Sequence, residues 1–475
     1  MIGDSSMNME QNSKHKKISL TAGIAMGIGA IIGTGIFGSL PEVVNLLGSG
    51  TLIALLGAAV QIILMSISAM YVTSVVQSSS IKFMTMSKIM HPYIGYLQIL
   101  LAFLLPLLVS LYGILFGNYF LILFPTCPLS NVAVSIILIV AFMILAWFGN
   151  HSVSLMSDIF VVILLGAILL FCFGGMPHMD LSRISFASAV ETGYGLTSMG
   201  AAIGVLASAL NGAGSLAEIS DDIEEPSKNV PKILIISPSI VCVIYMFMTV
   251  VTLGCMRGNH VESLAEVAET FFSPAMVTVF VIGGPIAGIV TSLLPVALVP
   301  IAVMEYGAKL KILPEALSKK NKHGVAWPCL LITGAITIVI LATGATFGPV
   351  MTLFSFVNTL FTLPYFLMPL FLRKIYPYAC RYSSVKLPTK AVYMISVLAF
   401  VYSCYTAFGL VASLSMTVWI IFALFMAAGY GYLFGRTRYL QRRGYDLTGE
   451  LKKPYGPWEE RERELEVLDA QKTRR

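Results

Sequence analysis

Apolar residues run through this chain in long stretches that no charge interrupts. Nine uncharged runs, at residues 18–41, 43–81, 89–157, 159–179, 192–217, 233–256, 274–304, 324–372 and 391–435, exceed the length that a spanning helix needs. Three are long enough for two helices each. They carry turn residues at Pro125-Thr126-Cys127-Pro128, at Gly344 to Pro349 and at Gly409 to Ser413. The pattern predicts an all-α membrane protein with twelve transmembrane helices. The spans near residues 92–124 and 275–309 exceed the bilayer thickness and must tilt or bend. Pro285, Pro295 and Pro300 mark the second of these for a kink.

Glycine interrupts two of the apolar runs. One reads Gly27-Ile28-Gly29-Ala30-Ile31-Ile32-Gly33-Thr34-Gly35-Ile36-Phe37, the other Ala209-Leu210-Asn211-Gly212-Ala213-Gly214. Unwound backbone is tolerated at membrane depth only where protein buries it or a cavity receives it. Paired breaks in two halves of a chain therefore point to a transporter's binding site. The competing reading is close helix packing at small-xxx-small spacing, which Gly29 and Gly33 satisfy. The second break favours a site. An odd number of helices per half inverts the second half relative to the first. The chain divides into a 1–17 tail, a repeat over 18–173, a second over 194–372, two extra helices within 391–434 that end the membrane domain at 435, and a tail over 436–475. Trp458 to Leu465 is read as part of a solvated tail rather than as a helix.

Charge sets the orientation. With the N-terminus inside, 28 of the 30 Lys and Arg fall in cytoplasmic segments, leaving only Arg183 and Arg257 outside. A wrong helix count would scramble that asymmetry. The net charge of +6 follows from it and is no sign of nucleic-acid binding. At 57% hydrophobic and 11% charged residues, the chain departs from soluble composition. The seven cysteines show no metal or redox spacing. The segment after Lys17 lacks a small-residue cleavage site, so the first helix is expected to stay.

Gly29-Ala30-Ile31-Ile32-Gly33-Thr34-Gly35-Ile36-Phe37 resembles the first-helix signature of amino acid permeases in the amino acid–polyamine–organocation superfamily. Glu218 through Pro231 is similar to the loop those permeases carry after helix six, and Lys309 through Pro328 to their basic loop after helix eight. The chain departs from the family at three places. Ser78-Ser79-Ser80-Ile81-Lys82 replaces a Gly-Gly stretch, Tyr71 stands at a common glutamate, and Ser208 at an aromatic gate.

The resemblance implies a five-plus-five inverted repeat with broken helices one and six, and an amino acid as cargo. A helix restarting near Thr34 presents unpaired N–H groups and a positive dipole end to a carboxylate, with the Thr34 hydroxyl and the Gly35 amide as donors. Gly33 and Gly35 let the backbone leave helical geometry. By the resemblance, the carbonyls of Ile31, Ser208, Leu210 and Asn211 accept from the ammonium. Gly212, in the second break, is expected among the substrate-binding positions. Ser208, Ala209, Ala102, Pro106 and Ser110 would form the wall. None of these carries a charge, so a neutral amino acid is the first expectation.

Proton relays use membrane-embedded acids or bases, and Glu42, Asp158, Glu218 and Glu305 all sit at helix ends. Thr291 and Ser292 lie where sodium-coupled relatives place hydroxyl ligands, although such groups more often bond their own helix. Exchange or facilitated passage is therefore expected, with a sodium- or proton-coupled symporter as the alternative. The expected partners are the amino acid and the plasma-membrane bilayer. No cofactor is expected, and a homodimer stays open. The six histidines fall in loops or tails without paired spacing, which disfavours an enzyme. A sensor on a permease scaffold is the rival, weakened by a tail with no evident domain.

Overall fold

The computed structural model describes residues 18–78, 80–148, 154–184, 195–214 and 223–473. Nearly all of them are helical. Among the described residues β-pairing is confined to isolated bridges, Ile18 with Ile223 and Lys320 with Ala326.

The first apolar run forms α1 (Leu20–Ile32) and α2 (Thr34–Leu47), separated at Gly33. Next come α3 (Thr51–Val75), a short helix Ile81–Thr85, and α4 (Pro92–Leu104) leading through Leu105 into α5 (Pro106–Leu123). The chain continues as α6 (Asn131–Trp147), α7 (Ser154–Gly175) and α8 (Leu196–Leu210). Beyond them lie α9 (Pro226–Cys255), α10 (Pro274–Val281) and α11 (Ala287–Lys309). The kink expected in the last pair is a π-helical turn at Ile282–Ile286 that carries Pro285. Then follow α12 (Trp327–Ala342), α13 (Phe347–Phe366), α14 (Met368–Ile375), α15 (Thr389–Ala412) and α16 (Met416–Gln441). Among the described residues, eight helical stretches are long and apolar enough to cross a membrane, and four shorter apolar helices accompany them.

Lipid tails are as apolar as the side chains, so helices associate through close packing and polar contacts rather than hydrophobic burial. Both devices are present. A Cβ on Gly409 of α15 would collide with the backbone of Gly200 and Ala201 on α8, so glycine sets that crossing. The Gln61 amide of α3 donates to Thr406 Oγ1 of α15 at 3.0 Å. Gln98 of α4 donates to the Phe361 carbonyl of α13 at 2.8 Å.

The two ends of the bundle differ in charge. At one end, Ser384 meets the Ser227 carbonyl, Lys88 donates to the Glu450 carbonyl and Arg436 to that of Lys311. Those contacts gather the basic loops together. At the other end, Arg183 donates to the Met256 carbonyl, and Asn45 exchanges two hydrogen bonds with the Val261 backbone.

The C-terminal segment corrects the expectation of a solvated tail. It folds into α17 (Leu447–Lys452) and α18 (Gly456–Thr473), which pack on the basic end. Trp458 is buried, 4% exposed, and its indole N–H donates to the Gln77 carbonyl at 2.8 Å. The Glu462 carboxylate accepts from the Tyr378 and Ala379 amides, the first turn of the short helix Pro377–Arg381. A carboxylate on those orphan N–H groups stabilises the helix start. Asp469 pairs with Arg381 at 2.6 Å and accepts from the Tyr382 hydroxyl at 2.8 Å. Burial, then the nearby Glu459 carboxylate, raises the Tyr376 phenol above its ordinary pKa, so it stays a donor to Glu459. Helical charge spacing alone does not reveal this docking, because the partners lie 83 to 381 residues upstream.

Trp458→Ala is expected to cost about 3 kcal/mol and to release α18. Amide exchange should rise across residues 456–473, and unchanged protection there would refute the strap.

Candidate functional site

Breaking a helix at membrane depth strands backbone groups. The last carbonyls of α1 and the first amides of α2 lose their helical partners at Gly33, whose ψ of −110° is not helical. Three neighbouring helices supply hydroxyls to this segment. Ser292 of α11 donates to the Gly29 carbonyl at 3.1 Å. Tyr245 of α9 donates to the Ile31 carbonyl at 3.0 Å. Its hydroxyl also lies against Gly35, on the far side of the break. Tyr119 of α5 donates to the Phe37 carbonyl at 3.2 Å.

The sequence reasoning missed Tyr245, Tyr112 and Tyr119. A signal was available, since a buried tyrosine in an apolar helix must find a partner for its hydroxyl. Tyr112 lies against the same break, its oxygen 2.8 Å from where a Gly33 Cβ would stand, with Ser292 Oγ at 2.7 Å. Only glycine fits there.

The second break also forms. The α8 helix stops at Leu210 and tightens into a 3-10 turn over Asn211–Gly214; residues 215–222, with Glu218, lie outside the described residues. The Ser208 carbonyl is used by the Asn211 amide in that turn. Gly212 abuts the backbone of Ala30 and Ile31 so closely that a Cβ would come within 2.7 Å of Ile31 Cα. Gly35 faces the same junction, with the Ala209 carbonyl oxygen 2.7 Å and the Tyr245 hydroxyl 2.9 Å from a Cβ position.

The structure therefore brings Ile31, Gly33, Gly35, Ala209 and Gly212 together. The Thr34 side chain lies outside what is described. Ser110 is buried and donates to the Leu107 carbonyl of its own turn. Thr291 likewise bonds its own helix, at the Ala287 and Gly288 carbonyls. At the Arg183 end α2 is closed over. Phe37 packs edge-on against Tyr119 and Phe280, and a Cβ on Gly38 would run into the Phe347 ring. At the Lys82 end a small, open cleft lies beside the second break, lined in part by Asn211, Gly214 and Lys82. Ala102, Pro106, Ser110 and Ser208 do not line it. Among the described residues no cluster of His, Cys, Asp and Glu could hold a metal ion.

Of the departures noted in the sequence, one has a clear structural account. Tyr71 is buried, and its oxygen accepts from Arg373 Nε at 2.9 Å, tying α3 to α14. A phenol at this position still gives the guanidinium an acceptor.

Comparison with known proteins agrees with this architecture. An uncharacterized protein of Methanocaldococcus jannaschii is 29% identical over 277 residues, 53% of this chain and 58% of its own length. The chain thus spans little more than half of that relative. The large neutral amino acids transporter small subunit 2 of Mus musculus is 25% identical over 374 residues, 73% of this chain and 68% of its own. Its Homo sapiens counterpart is 24% identical over 373 residues, with the same coverage. The amino acid permease family model matches residues 18–442. A membrane-spanning helical bundle matched over that length belongs to the amino acid permease family, and the chain is a transporter rather than an enzyme.

Proposed function

We propose that this chain exchanges large neutral amino acids across the plasma membrane by alternating access. The observation that carries the reading is the meeting of two interrupted helices: the gap at Gly33 lies directly against the end of α8. The amides of Thr34 and Gly35, at the start of α2, take the carboxylate. The Ile31 carbonyl, shared with Tyr245, and those of Ser208, Leu210 and Asn211 receive the ammonium. A zwitterion loses strong hydration on leaving water, and fixed main-chain dipoles replace it.

In this reading twelve helices cross the bilayer, with the five-plus-five inverted repeat over 18–173 and 194–372. The basic end, which carries α17 and α18, is cytoplasmic together with both termini. Closure at the Arg183 end beside a cleft at the Lys82 end supports an inward-facing conformation. Exchange, which needs no ion site, is favoured because the uncharged runs carry no acidic side chain in their interiors. The names of the mouse and human relatives support a large neutral cargo.

In proteoliposomes, leucine uptake should proceed without sodium or a pH gradient and accelerate with leucine on the opposite face. Strict dependence on either ion would remove the exchanger. Gly35→Leu is expected to abolish flux, because the added side chain meets backbone at Ala209 and holds the two breaks apart. Flux equal to wild type would contradict the site. Tyr245→Phe leaves the Ile31 carbonyl without its side-chain partner, at an expected cost of about 1–3 kcal/mol. Thermal melting checks that figure, and an unchanged midpoint would count against this contact.

A further inference from the structure

The end of α16 and the residues just after it carry Arg436, Arg438, Arg442 and Arg443. Arg436 turns toward the protein and donates from Nε to the Lys311 carbonyl at 3.0 Å. The other three are exposed. Elsewhere at this end carboxylates take up cations: Glu305 pairs with Lys309 and Lys320, and Asp469 with Arg381. Among the described residues no carboxylate pairs with Arg438, Arg442 or Arg443. The nearest acids in sequence are engaged otherwise, since Asp446 accepts from the Gly449 amide and Glu450 pairs with Lys453. Two of the free guanidinium groups lie on rings instead. Arg438 stands 4.1 Å from the Phe434 centroid and Arg443 4.6 Å from that of Tyr439. A guanidinium stacked by its face keeps its N–H edge free for an anion.

The rest of α16 shows what surrounds those edges. Its buried residues are Leu433 and Leu440, while Ile420, Leu424 and Phe434 are exposed. At about 100° per residue these three share one outward face with Arg438 and Arg442. From Met416 to Phe434 the helix rises about 27 Å, close to the thickness of a bilayer's hydrocarbon core. The arginines begin within the next turn, at headgroup depth.

We propose that this end of α16 binds the headgroup of an anionic phospholipid. Arg438 and Arg442, one turn apart, hold the phosphodiester through their N–H edges, and Arg443 adds charge from the flank. The acyl chains lie along Phe434, Leu424 and Ile420. Arginine suits this group because its donors form a planar fork that matches phosphate oxygens. Basic residues directly beyond a spanning helix also attract anionic leaflets without holding any one lipid. Diffuse attraction of that kind depends on charge alone, whereas a held headgroup depends on these residues.

The test titrates the purified full chain in detergent with dioleoylphosphatidylglycerol and follows thermal melting. That lipid should raise the melting temperature, and neither dioleoylphosphatidylcholine nor inorganic phosphate should do so at the same concentration. A matching shift from either overturns the anionic lipid as occupant. In Arg438→Gln/Arg442→Gln the concentration giving half the shift should rise about tenfold or more. Lys319→Gln/Lys322→Gln removes two exposed cations from another loop of the same end and should titrate like wild type. An unchanged half-point in the arginine pair, or an equal rise in both pairs, overturns the site. Arg438→Lys/Arg442→Lys keeps the charge without the fork and should fall between wild type and the Gln pair. It carries the test if the Gln pair fails to fold, and an unchanged half-point there overturns the fork contact.

Discussion

A backbone that leaves helical geometry within an apolar bundle must find new hydrogen-bond partners, and here hydroxyls from neighbouring helices supply them. Tyr245 donates to the Ile31 carbonyl on one side of Gly33 and lies against Gly35 on the other. Ser292 takes the Gly29 carbonyl a turn earlier. An unsatisfied group in this environment costs several kcal/mol. The broken helix is therefore held by α9 and α11 as much as by its own glycines. Any movement of α1 against those two helices has to exchange these hydrogen bonds for others. A transported zwitterion, with a donor end and an acceptor end, offers such replacements.

The same constraint explains how tightly the two breaks meet. Gly35 and Gly212 lack side chains at the points where α2 and the α8 turn approach the opposing backbone. A methyl group at either position would meet main-chain atoms, which cannot swing aside as a flexible side chain can. Glycine here permits contact between interrupted segments as well as their interruption. Packing and site formation are thus not alternative accounts of these glycines.

Away from the membrane interior, charge and aromatic contacts tie the basic end together. The α18 helix reaches the end of α3 through Trp458 and the segment after α14 through Glu459, Glu462 and Asp469. Its ion pair with Arg381 is exposed on the guanidinium side and by itself worth little. The buried indole and the carboxylate on two helix amides supply most of the hold. These contacts link loops that are more than 300 residues apart in sequence, around the rim where the Lys82 cleft lies.

Much of this arrangement was legible in the chain itself. Uncharged run lengths located the apolar helical stretches, and prolines located the turn at Pro285, because both signals are local and backbone-driven. Gly33 marked the first break for the same reason. Which hydroxyls complete that break was not legible, since Tyr245 and Ser292 lie more than 200 residues away and only the packing of α9 and α11 against α1 selects them. Nor could charge spacing show that Trp458 to Thr473 docks, because the surface that accepts it exists only after α3, α14 and the short helix Pro377–Arg381 have assembled. Local composition decided where the chain crosses and where it breaks; long-range packing decided what satisfies the breaks and where a cleft remains.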